Sequence, residues 1–180
     1  MRHAFAAATA ALVVAGAGSA LAALAVGEKA PDFSAPASMA GKAFPFSLSA
    51  ALRKGPVVLY FFPAAFTKGC TIEAHEFAEA QPQYQALGAT LIGVTAGNID
   101  RLTEFSVSEC RSKFPVAADP KARIAGEYKS TLPVAGWSNR TSYVIAPDGV
   151  ILSVYSDLNP DQHVAKTLET LKAWRAKHPV

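Results

Sequence analysis

A chain of 180 residues with 17 basic and 14 acidic side chains has a net charge of +3, and no basic run suggests nucleic acid as a partner. Four histidines and two cysteines are spread without H-x-x-x-H or C-x-x-C spacing, so no metal site is expected. The length suits one domain with a proper core, and the 51% apolar content is inflated by alanines at the N-terminus.

Arg2 and His3 precede an apolar, alanine-rich run from Ala4 to Ala17, and Ala20-Leu21-Ala22 is an A-x-A cleavage pattern. The run is too short for a membrane anchor and lacks a stop-transfer flank, so residues 1–22 read as a secretory signal peptide. A second cut is offered after Ala25, and a disordered alanine-rich tail is the competing reading. With no twin arginine and no nearby cysteine to lipidate, a soluble periplasmic or secreted protein is expected, without membrane contact after cleavage. Cleavage after Ala22 leaves residues 23–180 as one domain of 158 residues, with net charge +2 because only Arg2 is lost.

Asp32–Ala37 and Lys42–Leu48 read as short strands joined through Met39-Ala40-Gly41, and Ser49–Lys54 as one helical turn. Val57-Val58-Leu59-Tyr60-Phe61-Phe62, rich in β-branched and aromatic residues, reads as a buried strand. Ala74, Phe77, Ala78, Tyr84 and Leu87 then recur near helical spacing, so a helix begins near Cys70. Pro82 predicts a break around Ala80-Gln81 and a second segment ending at Gly88. Ala89–Thr95 is another buried strand. A helix follows, with Asn98 as its cap and Leu102, Phe105 and Val107 or Cys110 on its apolar side. Val116–Ala118 is a short strand, and Asp119-Pro120 opens a helix through Tyr128. Ser142–Ala146 and Val150–Ser156 form a hairpin about Pro147-Asp148-Gly149. Asn159-Pro160 starts a last helix carrying Val164, Leu168, Leu171 and Trp174. Periodicity alone thus predicts an α/β sandwich.

The chemistry concentrates at Cys70, placed where a strand ends and a helix begins. Unpaired N–H groups and the macrodipole stabilise a thiolate there. Thr67 offers a hydroxyl three residues earlier, Gly69 permits close backbone approach, and Pro63 stiffens the mouth of the turn. A buried, inert cysteine is the alternative for Cys70, and one structural disulfide with Cys110 is the plain reading of the pair.

The motif P-x-x-x-T-x-x-C over Pro63–Cys70 and the surrounding GCTIEAHEF resemble the peroxiredoxins, in particular the Q-type (bacterioferritin comigratory protein) branch of the alkyl hydroperoxide reductase/thiol-specific antioxidant family. The resemblance runs from Val26-Gly27-Glu28-Lys29-Ala30-Pro31-Asp32-Phe33 to the C-terminal helix. It implies a thioredoxin-like fold, a central mixed sheet with helices on both faces and an N-terminal β-hairpin. It also implies a thiol-dependent peroxidase for hydrogen peroxide and organic hydroperoxides, without cofactor. A thioredoxin-like dithiol protein would be the reductant, and the chain a monomer or weak dimer.

By the same resemblance Cys70 is the peroxidatic cysteine, Arg140 reaches its sulfur, and Glu73 supports Arg140 or caps the first turn. Many Q-type members place a resolving cysteine five residues after the first. Here that residue is His75, read as a surface helical residue, so Cys110 becomes the candidate resolving thiol, with a free thiol and an external reductant as the other course. The sulfurs are expected to lie too far apart to bond until a helix end unwinds. Phe66, Trp137 and Tyr143 are candidates for an apolar rim. Two rivals stand beside the peroxidase: an exported thiol-disulfide oxidoreductase, which usually needs C-x-x-C where Thr67 stands, and a non-catalytic module with a structural disulfide.

Overall fold

The strand Val57–Phe61 (β3) is buried along its whole length because both of its faces are covered. Side chains alternate along a strand, so Val58 and Tyr60, with Phe62 just beyond the strand, face one core, and Val57, Leu59 and Phe61 face another. In the computed structural model, which describes residues 23–133 and 136–179, β3 lies inside a seven-stranded mixed sheet. The expected signal peptide over 1–22 lies outside the described residues.

The other strands are Ser34–Met39 (β1), Lys42–Ser47 (β2), Thr90–Thr95 (β4), Val116–Ala118 (β5), Thr141–Ile145 (β6) and Ile151–Ser156 (β7), in the order β2-β1-β5-β4-β3-β6-β7. β3 pairs parallel with β4 and antiparallel with β6. The hairpins expected at the two ends of the chain form the two edges of the sheet. In the first, Met39 pairs with Lys42 across the left-handed residues Ala40 and Gly41, a two-residue turn matched to the strand twist.

Lys68–Ala86 (α2), Leu102–Ser108 (α3) and His163–Lys177 (α5) cover one face. Leu48–Leu52 (α1) and Arg123–Glu127 (α4) cover the other. This is the predicted sandwich with helices on both faces. Under α2 the ring of Tyr60 stacks on Phe77 at 4.4 Å and on Phe62 at 5.4 Å, contacts that each add about 0.5–1.5 kcal/mol beyond area burial.

Three expectations need correction. The break at Pro82 does not occur, and α2 runs unbroken for 19 residues. Pro82 sits on the exposed side of the helix, and the residues around it are anchored: Tyr84 is fully buried and its hydroxyl lies 2.7 Å from Thr167 Oγ1. One missing backbone bond facing solvent is tolerated when packing holds both flanks.

The helix expected from Pro120 through Tyr128 is split by Lys121 and Ala122, both left-handed (φ 65° and 52°). The buried carboxylate of Asp119 explains the late start, accepting from the N–H groups of Ile124 (2.9 Å) and Ala125 (2.8 Å) and so capping α4 beyond the kink. Finally, Asn98 precedes a 3-10 turn (Ile99–Arg101) but its side chain does not cap it. Val107 is 48% exposed, so the apolar side of α3 is Leu102 and Phe105, with Cys110 buried just past the helix end.

Replacing Asp119 by alanine should destabilise the fold by about 1–3 kcal/mol, because two buried N–H groups lose their acceptor. A denaturant midpoint for Asp119→Ala equal to that of the parent would show that the cap contributes nothing.

Candidate active site

The loop from Phe62 to Thr67 leaves β3 and turns into α2, and β4 holds it from the side. Thr95 Oγ1 donates to the Pro63 carbonyl (3.1 Å) and accepts from Gly97 N (3.2 Å). Ala65 N donates to Gly97 O (3.2 Å), and Asn98 Nδ2 donates to Ala65 O (2.8 Å). The residue that looked like a helix cap is therefore a strut for this loop. Ser138 Oγ adds a bond to Phe62 O (2.6 Å) from the opposite side. A Cβ at Gly97 would stand 2.5 Å from both Ala64 Cβ and Pro63 O, so the close approach requires glycine.

Phe66 is held left-handed (φ 64°) within this loop, a conformation costly for an aromatic residue. Its ring stands edge-on to Phe105 (5.2 Å) and under the Arg101 guanidinium (3.9 Å), contacts that offset the strain.

Cys70 is the third residue of α2, and its side chain is almost fully buried. Arg140, just ahead of β6, points its guanidinium across the helix start: Nη2 donates to Cys70 Sγ at 3.5 Å, Nη1 to Glu73 Oε2, and Nε to the Leu158 carbonyl at 2.9 Å. Gly69 makes the approach possible, since a Cβ there would lie 3.0 Å from Nη2. Burial works against the Arg140 charge, but Glu73 and Cys70 beside it hold its pKa above the ordinary value. Glu73 is wholly buried, with the Arg140 guanidinium as its partner. Burial pushes its carboxyl up to about 8 while Arg140 pulls the other way.

Thr67 is the N-cap residue of α2, yet its hydroxyl makes no cap bond and donates instead to the Ala64 carbonyl (3.1 Å). With its proton committed, the oxygen offers lone pairs, so Thr67 stands as an acceptor toward an incoming O–H. Tyr143 is not at the mouth; it lies in the core on the other face of the sheet, its hydroxyl donating to the Tyr128 carbonyl. Phe66 is half-buried and Trp137 is 40% exposed. A cleft of about 530 Å³ opens beside Arg140, with Leu132, Pro133 and Leu158 on its apolar wall.

Cys70 and Cys110 are both free thiols, which leaves the structural-disulfide reading without support. Cys110 is fully buried, and burial, with Glu109 nearby, pushes its thiol well up. Its segment is tied to α2 by His75 Nε2–Glu109 Oε2 (2.9 Å) and Arg111 Nη1–Glu79 Oε1 (3.0 Å). His75, read as a plain surface residue, is half-exposed and makes this cross-helix contact. The two residues after Cys110, Arg111 and Ser112, are both left-handed (φ 50° and 59°).

Sequence reasoning missed His163 and Ser142. His163 is fully buried at the start of α5, with Nδ1 2.8 Å from Ser142 Oγ, Nε2 2.9 Å from the Asp157 carbonyl and Nδ1 3.7 Å from Glu73 Oε1. No local motif marks it; only the packing of α5 against α2 and β6 brings it to the site.

The profile of the AhpC/TSA family matches residues 26–154 of this chain. A selenocysteine-containing peroxiredoxin, PrxU of Peptoclostridium acidaminophilum, is 31% identical over 157 residues, covering 83% of this chain and 77% of its own. Chloroplastic peroxiredoxin Q of Triticum aestivum is 29% identical over 119 residues, covering 65% of this chain and 54% of its own. Among solved structures, the peroxidoxin BcpB of Mycobacterium tuberculosis superposes with a TM-score of 0.73 at 31% identity, covering 82% of this chain and 96% of that one. The fold is thus the thioredoxin-like one that the resemblance implied, and the chain belongs to the AhpC/TSA family, the peroxiredoxins, which are thiol-dependent peroxidases of antioxidant defence.

Proposed function

We propose that Cys70 is the peroxidatic thiol, served directly by Arg140 and Thr67 and, through Arg140, by Glu73. The observation that carries this reading is the contact of Arg140 Nη2 with Cys70 Sγ at the positive end of α2. The thiolate attacks the distal oxygen of a hydroperoxide; a sulfur–oxygen bond forms as the O–O bond breaks. The leaving oxygen departs with the electron pair and takes up a proton, giving water or an alcohol. Cys70 is left as a sulfenic acid. Arg140 faces the charge that moves from sulfur to the leaving oxygen, and Thr67 accepts the hydrogen of the attacked O–H. Pro63 sets the loop through its carbonyl bond to Thr95.

Peroxiredoxins regenerate with thioredoxin-type reductants. For this chain Cys110 is the proposed resolving thiol, condensing with the sulfenic acid to a disulfide and water. Its burial means that the segment after α3 must open first. That segment is short, and Arg111 and Ser112 hold a backbone conformation that opening would relieve. Export is likewise proposed, on the signal-like composition of residues 1–22.

Arg140→Ala should slow peroxide reduction tenfold or more, and should slow alkylation of Cys70 at neutral pH. Arg140→Lys should recover only part, since one ammonium cannot serve sulfur, Glu73 and the Leu158 carbonyl together. Stopped-flow rates equal to the parent's would remove Arg140 from the site.

In Cys110→Ser, the first turnover should stay fast while later turnovers with a thioredoxin-type reductant fail and the sulfenic acid over-oxidises. Full multi-turnover activity would instead establish a one-cysteine cycle. Mass spectrometry of the native protein should find a start near Ala23 or Val26, and an intact Met1–Ala22 segment would reject export.

A further inference from the structure

The cluster at Cys70 continues past Arg140 into groups that the mechanism above leaves idle. Glu73 Oε1 is buried without a hydrogen-bond partner, although Oε2 is taken by Arg140. His163 Nδ1 stands 3.7 Å from that orphaned oxygen. The ring is oriented by its other contacts. Nε2 faces the Asp157 carbonyl, which only accepts, so Nε2 carries a proton. In the neutral ring Nδ1 then has one lone pair, which both Ser142 Oγ and Glu73 Oε1 face. An ionised Glu73 would turn buried lone pairs toward another lone pair, and an unmet buried acceptor costs about 1–3 kcal/mol. One proton held by the pair, on either residue, removes that conflict.

We propose that Glu73 and His163 hold a single exchangeable proton between them, and that this proton decides how much of the Arg140 charge is left for the Cys70 thiolate. This rests on Cys70 being the peroxidatic thiol. With the proton present, the guanidinium faces one anion, the sulfur. With it absent, Glu73 competes for the same cation. Proton binding by the pair and ionisation of Cys70 therefore favour each other, and the coupling is reciprocal. Oxidation of the thiolate to a neutral sulfenic acid removes the anion and loosens the proton.

Burial holds the Glu73 carboxyl up at about 8 and the His163 ring down at about 4, so near neutrality the proton belongs on the Glu73 side. The charged and titratable groups facing the pair are Cys70 and Glu76 from α2, Arg140 ahead of β6, Asp157 after β7 and Tyr60 from β3. The Tyr155 ring stands edge-on to His163 at 4.8 Å. His163 is thus a positioning residue, acting on the sulfur through Glu73 and Arg140.

The test follows the proton directly. Carbon-13 spectra of glutamate-labelled, reduced protein, with Glu73 assigned by Glu73→Gln, are recorded from pH 5 to 9 beside nitrogen-15 spectra of the His163 ring. One proton shared by the pair should be seen at neutral pH, on the carboxyl or on the ring. Its loss should move to lower pH in Cys70→Ser by about one unit, a tenfold change in affinity. A Glu73 carboxylate ionised throughout beside a neutral His163 would overturn the proposal. So would a titration unchanged by Cys70→Ser. His163→Gln adds a kinetic arm: Cys70 alkylation at pH 7 should slow about tenfold, and an unchanged alkylation pH profile in a folded variant would count against the pair. Peroxidase activity surviving in Cys70→Ser would instead sink the assignment of the nucleophile and leave the shared proton standing.

Discussion

One buried guanidinium is the constraint that the site depends on. A charge taken out of water costs several kcal/mol unless it is paired and hydrogen-bonded, and Arg140 meets that requirement with three acceptors of different kinds. The Leu158 carbonyl is fixed, Glu73 is titratable, and Cys70 carries the proposed nucleophile. An arginine suits this task better than a lysine, because its planar fork presents several donors at set angles. The sulfur is thus one partner in a shared arrangement. In the proposed coupling, groups on α2, ahead of β6 and on α5 all bear on its charge.

That arrangement needs a rigid platform, which the sheet supplies. β3 ends directly under the active-site loop, and its two alternating faces are locked into separate cores. The stacked aromatic side chains Tyr60 of β3, Phe62 just beyond it, Phe77 of α2 and Phe105 of α3 join the two helices to the sheet. The turn after α3 carries the second cysteine. There Cys110 and Phe114 are buried in the core beneath α2, and two partly exposed ion pairs also tie the segment to that helix; such pairs each contribute about 0–1 kcal/mol. Rigidity at Cys70 suits the proposed chemistry, in which the attacking thiol must be aligned and Cys110 must travel to meet it.

Much of this was legible in the residues. Every strand was foreseen within a residue or two, because runs such as Val57–Phe61 and Thr90–Thr95 are apolar and sharply bounded. Cys70 and Thr67 stood out by their spacing at a strand-to-helix junction, and Arg140 only through the family resemblance. What failed to show was of two kinds. Pro82 misled because local propensity takes no account of Tyr84 anchored against α5. His163 and Ser142 stayed hidden because neither has a sequence neighbour in the site; tertiary packing alone brings them there. Asn98 was noticed for a common role and performs another, since one amide side chain suits either a helix end or a loop carbonyl.

Gly97 gives the proposed nucleophile a second address. Its missing side chain lets β4 dock against Pro63 and Ala64, so the seat of Cys70 is cut from two separate stretches of chain. Any larger residue at 97 would displace the loop while leaving every group that touches sulfur chemically intact. Kinetics would then report a poor cysteine with faultless neighbours. In heredity and in engineering alike, the segments 62–70 and 94–98 therefore form one module, and a graft that moved the first without the second would carry the motif but not its geometry.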